Sequence, residues 1–221
     1  MWLASAGTQH LEIPLLLDVF LAQAVDDLSH QASNLTGAGT DCNVEGPVYI
    51  DGAPMLTAPY ALPKRPDEPG TPLVVSGTVR STDGRPLAGA VLDVWQANGA
   101  GEYSHFNPDV PEYTLRGKLS SDISGSFEFT TVIPSEYPIP LAGATGQLLA
   151  ALGRPGNRPA HIHFKVSHPD AAPLTTQLYF ADDPYLRSDV VGAVKDSLVL
   201  NPVRSDDGAT VSFDFVLTPA S

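Results

Sequence analysis

Ser126-Phe-Glu-Phe-Thr-Thr-Val132 alternates apolar and polar side chains at its start and follows the turn residues Asp122 to Gly125. Period-two alternation sends one set of side chains to a core face and the other toward solvent, which predicts a half-buried β-strand. Comparable short pieces recur along the chain at 73–80, 90–95, 160–166, 175–180 and 211–217, with turn residues such as Thr82, Asp83 and Gly84 between them. The 21 Pro and 19 Gly punctuate the apolar stretches far too often for a helical bundle. The expected fold is therefore mainly β, a two-sheet β-sandwich with a short N-terminal helical segment. Helix is predicted over 145–152 and near the N-terminus, with a turn near 188–195, and no internal repeat is visible.

At 221 residues the chain suits one sizeable domain with an extension, divided here as 1–40 and 41–221. The formal net charge of -13 argues against nucleic acid or anionic membranes as partners, and says nothing about a small neutral ligand. Cys42 stands alone, so there is no intrachain disulfide and no cysteine cluster for a metal. The apolar run 11–28 has no basic leader, and Glu12, Asp18, Gln23 and Asp26 interrupt it. It therefore reads neither as a signal sequence nor as a membrane span, and a cytoplasmic location is expected. Leu15, Val19, Ala22, Val25 and Leu28 recur at helical spacing, with Pro14 in the first turn, which predicts an amphipathic helix. The Ser, Asn, Gly and Thr of 29–40 read as a linker.

Chemistry concentrates in Arg158-Pro-Ala-His-Ile-His-Phe164. On a strand, His161 and His163 share one face while Ile162 points to the other, so two imidazoles project together as half of a metal site. A lone pair of this kind is compatible with a core histidine beside a solvated one. Two tyrosines upstream change that reading: Tyr103 in a glycine-rich turn after an apolar strand, and Tyr137 in a loop stiffened by Pro134, Pro138 and Pro140. A bound cation can depress a phenol far below its usual pKa of about 10. The resulting oxyanions suit Fe(III) better than zinc, which favours nitrogen and sulfur donors. Spacing alone does not select these two tyrosines over the others.

The chain resembles the intradiol ring-cleavage dioxygenases, and within them the catechol 1,2-dioxygenase group. The resemblance is carried in order by Val44-Glu-Gly-Pro-Val-Tyr49, Gly89-Ala-Val-Leu-Asp-Val-Trp-Gln-Ala97, Gly101-Glu-Tyr-Ser104, Leu115-Arg-Gly-Lys118, Ile133-Pro-Ser-Glu-Tyr137, Arg154-Pro-Gly-Asn-Arg-Pro-Ala-His-Ile-His163 and Leu174-Thr-Thr-Gln177. It implies one Fe(III) per chain, with Tyr103 and His161 as equatorial ligands and Tyr137 and His163 as axial ones. It also implies catechol and O2 as substrates, cis,cis-muconate as product, and Tyr137 as a ligand that leaves the metal to serve as base. Arg158 matches an arginine that stabilises negative charge on the substrate, and Gln177 a polar group nearby. Val48 and Asp51 match a loop that faces the substrate ring.

The resemblance further implies a homodimer through an N-terminal helical region that commonly binds phospholipid tails between subunits. This chain keeps only the last part of that region, a departure that weighs against a lipid site and leaves the dimer resting on the apolar helix. For the substrate, catechol leads, chlorocatechol follows closely and hydroxyquinol fits less well. The small Val48 leaves room for a ring substituent, yet a methylene or two is worth only roughly 1–3 kcal/mol of discrimination. A non-enzymatic β-sandwich binding module is the competing class. It would have no need to keep Tyr103, Tyr137, Arg158, His161 and His163 together.

Overall fold

The computed structural model describes residues 12–25, 28 and 39–220. Helix α1 (Glu12–Leu17) runs into a π-helical turn at Asp18–Ala22, and the linker predicted over 29–40 lies outside the described residues apart from its last two positions. The strands are β1 (Tyr60–Ala61), β2 (Pro72–Ser81), β3 (Val91–Gln96), β4 (Arg116–Ser120), β5 (Ser126–Val132), β6 (Tyr137–Pro138) and β7 (Asn157–Arg158). They continue with β8 (His161–His168), β9 (Ala171–Phe180), β10 (Val199–Leu200), β11 (Val203–Ser205), β12 (Gly208–Ser212) and β13 (Phe215–Leu217). Helix α2 (Ala144–Ala151) links β6 to β7 and overlaps the predicted 145–152. The segment 188–195 is non-helical, and a single 3-10 turn follows it at Asp196–Leu198. Among the described residues, no helix is long and apolar enough to cross a membrane.

Two sheets face one another, as expected for the sandwich. One runs β1-β5-β2-β12-β11, with β13 also paired to β2, and the other runs β10-β9-β8-β3-β4. A separate ribbon joins β6 to β7. The apolar positions of both sheets turn inward to a common core in which Phe129, Phe164 and Phe215 meet at ring separations of 5.0–6.2 Å. Such tilted aromatic contacts add to the stabilisation that burial alone supplies.

The expected strand over 211–217 is broken in two. Strand β2 pairs first with β12 and then with β13, and Phe213 and Asp214 leave the ladder between them while the register stays the same on either side. The break sits opposite Gly77, where a Cβ would lie 1.8 Å from the Phe213 carbonyl oxygen. Asp214 closes the gap by accepting hydrogen bonds from the Thr78 backbone N–H and hydroxyl, both at 2.8 Å. A periodic pattern read along one strand cannot reveal such a break, because the glycine that accommodates it lies on the neighbouring strand.

The N-terminal helix also differs from expectation on one point. Leu15 and Val19 are buried against Val44, Ile139, Leu149 and Val191, as their spacing predicts. Val25 and Leu28 are 58 % and 68 % exposed instead. The wider π-helical turn explains the difference, since it rotates the following residues and brings Gln23 to the buried side. Ile13, Leu17 and Leu21 are exposed together with Val25 and Leu28, three to four residues apart, so an outward apolar stripe runs along this segment.

Phe164 is fully buried between the two sheets and tests the packing of the sandwich directly. Phe164→Ala is expected to lower unfolding stability by about 3–5 kcal/mol in a urea titration.

Candidate metal and substrate site

The β10-β9-β8-β3-β4 sheet is buried on both faces, and its second face builds the site. On β8, Ile162 and Phe164 enter the core, while His161 and His163 point away from it and are still wholly buried. Cross-strand register extends the polar face on either side: Trp95 lies opposite Arg116 and His163, His163 opposite Gln177, and His161 opposite Tyr179. Trp95 stacks on His163 at 4.7 Å with an interplanar angle of 10°, which fixes the imidazole plane. Loops and the short ribbon cover this face. In the ribbon, Tyr137 of β6 is directly opposite Arg158 of β7.

The second phenol arrives on the glycine turn. The buried Asn98 accepts hydrogen bonds from the backbone N–H groups of Ala100 and Glu102, setting the curl that carries Tyr103 inward. Gly101 lies at φ +78°, and a Cβ there would come within 2.8 Å of the Glu136 carbonyl oxygen and 3.0 Å of Tyr137 Cβ. Only glycine permits this approach of the two tyrosine segments. The phenol rings end 5.4 Å apart, with Tyr137 5.7 Å from His161 and Tyr103 6.4 Å from His163. The four side chains singled out from sequence therefore converge on one point.

Their electrostatics suit a cation. His161 Nδ1 lies 2.6 Å from the Pro159 carbonyl oxygen, so its N–H is donated there and Nε2 keeps a lone pair facing His163 Nε2 at 3.0 Å. Burial, followed by the nearby Arg158 charge, pulls His161 down to about 3. Burial, then His161, likewise hold His163 well below its ordinary value, so both imidazoles stay in the neutral form that a metal requires. Burial, then the Tyr137 phenol, push Tyr103 well above the usual tyrosine range. Burial raises Tyr137 too, against the opposing pull of Arg158. Only a strong local positive charge would ionise these phenols. The Tyr103 hydroxyl and His163 Nδ1 are buried with no hydrogen-bond partner, which is costly unless another group engages this cluster. Among the described residues, no three His, Cys, Asp or Glu side chains come together, so metal binding here depends on the phenols. Two neutral imidazoles and two phenols fit a hard trivalent cation.

Beside them a cavity of about 310 Å³ opens, within the usual size range of small-molecule sites. Its walls are mostly apolar and include Val44, Val48, Ile139, Val191 and, from α1, Leu15, while Tyr103, Tyr137, Arg158 and His163 supply polar atoms. Val48 is thus on the wall. Asp51 is not. It faces solvent, with its side chain 3.5 Å from Lys118 Nζ, because the chain has turned outward by that point. Gln177 does not line the cavity either, since both of its ends are used within the protein. Its Oε1 accepts from Arg158 Nη2 at 2.9 Å, and its Nε2 donates to the Val44 carbonyl at 2.6 Å. His105 turns away to pack on Tyr113, and Tyr49 packs edge-on against Trp95 outside the cavity.

Three residues escape a reading of the sequence. Asp189 forms a buried ion pair with Arg158, and Tyr179 and Asn43 hydrogen-bond around it. The sole hint was chemical: an arginine buried beside two histidines requires a carboxylate, and 188–195 supplies one among many acidic residues. Gly101→Ala is expected to separate the two phenol rings and to cost at least about 1–2 kcal/mol from the left-handed backbone alone. A crystal structure and a denaturant titration of the variant check both effects.

Comparison with known proteins agrees with this geometry. A family model described as dioxygenase matches residues 44–219. The chain is 46 % identical over 213 residues to a chlorocatechol 1,2-dioxygenase of Rhodococcus opacus, covering 93 % of this chain and 81 % of the relative. It is 42 % identical to a catechol 1,2-dioxygenase of Acinetobacter lwoffii, over 83 % of this chain and 59 % of that protein. The crystal structure of 3-chlorocatechol 1,2-dioxygenase from Rhodococcus opacus 1CP superposes with a TM-score of 0.91 at 41 % identity, covering 99 % of this chain and 86 % of that one. The chain belongs to the intradiol ring-cleavage dioxygenases, as an enzyme of the catechol 1,2-dioxygenase type.

Proposed function

We propose that the chain cleaves catechol between its two hydroxyl-bearing carbons, placing both atoms of O2 in cis,cis-muconate, at one Fe(III) held by Tyr103, Tyr137, His161 and His163. The observation that carries this reading is the convergence of two neutral imidazoles and two buried phenols beside a small apolar cavity. A bound ferric ion supplies a Lewis acid for the catechol oxygens and the positive charge that ionises the phenols. The chain's own residues do the rest. His161 and His163 present lone pairs from a rigid strand. Tyr137 Oη accepts a substrate proton, and its place opposite Arg158 favours the anionic form that can do so. Arg158 stabilises the negative charge that develops on the ring. The apolar walls exclude water, and Val48 borders the space beside the substrate.

A second substrate reading has its own support. The relative at 46 % identity is a chlorocatechol enzyme, and Val48 leaves room on the wall for a ring substituent. We further propose that 41–221 is the catalytic domain and 1–40 an interface segment, although Leu15 reaches the cavity. The outward stripe of Ile13, Leu17, Leu21, Val25 and Leu28 is proposed to pair with a second copy in a homodimer, acting in the cytoplasm.

The test is O2 uptake and muconate formation by the iron-loaded protein, with catechol and chlorocatechols compared by kcat/KM. The wild-type chain is expected to turn over catechol. Tyr137→Phe is expected to lose about 10²–10⁴-fold in kcat while keeping its far-UV circular dichroism. A wild-type protein inert toward every catechol contradicts the proposal.

A further inference from the structure

Asp189 holds Arg158 along its Nε–Nη2 edge. Its Nε and Nη2 donate to Asp189 Oδ1 and Oδ2 at 3.2 and 3.3 Å, and Nη2 also reaches Gln177 Oε1 at 2.9 Å and the Tyr179 hydroxyl at 3.2 Å. That leaves Nη1 as the end facing the imidazoles, 3.3 Å from His161 Nε2. The Asp189 side chain is 2 % exposed and does more than pair with the arginine. It also accepts the backbone N–H of Val191 at 3.2 Å and of Ala193 at 3.0 Å. Val191 and Arg158 both line the cavity, so one carboxylate holds a wall segment and the guanidinium together.

The network closes on itself. Asn43 Nδ2 donates to the Ala193 carbonyl at 2.7 Å and to the Tyr179 hydroxyl at 3.2 Å, and that hydroxyl donates to Gln177 Oε1 at 2.8 Å. Three chain segments are thereby tied around one cation, with every polar end of the ring committed.

We propose that Asp189 is the positioning residue for Arg158: its two-point clamp fixes the guanidinium plane so that Nη1 points at the substrate side, and it anchors the Val191 wall to the same frame. A bidentate carboxylate fixes the plane and rotation of a guanidinium, which a single acceptor cannot do. The role rests on reading this site as the ring-cleavage centre. Asp189 itself touches neither the cavity nor the imidazoles, so it acts through Arg158.

The test is steady-state kinetics with catechol on iron-loaded wild type, Asp189→Asn, Arg158→Gln and the double variant, each checked for iron content and visible absorption. Asp189→Asn is expected to lower kcat by about 10²-fold with KM for catechol little changed and with iron content and colour retained. The double variant is expected to be no slower than Arg158→Gln alone, because a positioning residue has nothing left to position. Removing one member of a buried ion pair leaves the other charge uncompensated and destabilises a fold, so Asp189→Glu, which keeps both charges but displaces the clamp, supplies a readout if either single variant fails to fold: it is expected to lose kcat with iron content and colour retained, and wild-type kcat in it overturns the role. Wild-type kcat in Asp189→Asn, or a double variant slower than Arg158→Gln, overturns the role. A wild-type chain that leaves catechol untouched removes the ring-cleavage reading and this role with it, an outcome distinct from the other two.

Discussion

The site depends on a buried guanidinium at the cavity wall. Arg158 lies on a two-residue strand of the ribbon that covers the second sheet, and burial alone works against its charge. Asp189, with Tyr179 and Tyr137, outweighs that penalty and keeps the side chain protonated far beyond its ordinary range. Asp189 in turn is held below the usual carboxylate range, where Arg158 and the Ala193 N–H overcome the effect of its own burial. A charge pair in this setting is a poor source of net stability but a strong constraint on geometry. Removing either partner would release the other from its fixed plane, along with the β9 hydroxyl and amide that bond to the guanidinium.

That constraint operates because one sheet has two different faces. Alternation along β8 puts Ile162 and Phe164 in the sandwich core and His161 and His163 against the loops, so a single strand serves packing and chemistry. Trp95 belongs to the second face as well, where it stacks on His163 rather than filling the space between the sheets. Rigidity in the core is thus passed to the imidazoles within one residue. The phenols have no such strand to hold them. They depend on a glycine turn capped by Asn98 and on a proline-rich ribbon, and the close contact of Gly101 with the Tyr137 segment couples the two.

Much of this was legible in the sequence, for identifiable reasons. The alternation of β5 and the His-Ile-His triplet carry strand and facing information locally, so the sandwich and the paired imidazoles follow from short-range pattern. Tyr103 and Tyr137 needed a family resemblance, because nothing local distinguishes a phenol aimed at a centre from one that packs. The break between β12 and β13 was illegible because the glycine that accommodates it, Gly77, lies on another strand. The outward turn of Val25 and Leu28 depends on a π-helical turn that hydrophobic spacing does not encode. Asp189 escaped because an ion-pair partner is chosen by the tertiary fold from many acidic candidates. Asp51 turned outward for a comparable reason: the facing of a loop residue is set by what the loop packs on.

That Tyr103, Tyr137, His161 and His163 together hold one ferric ion is tested most directly by the visible spectrum of the iron-loaded protein before and after anaerobic addition of catechol. A phenolate-to-iron absorption band that moves to longer wavelength with catechol is the predicted result, since it reports the phenols as ligands and the substrate at the same metal. An iron-loaded protein that stays colourless, or whose colour ignores catechol, would contradict it.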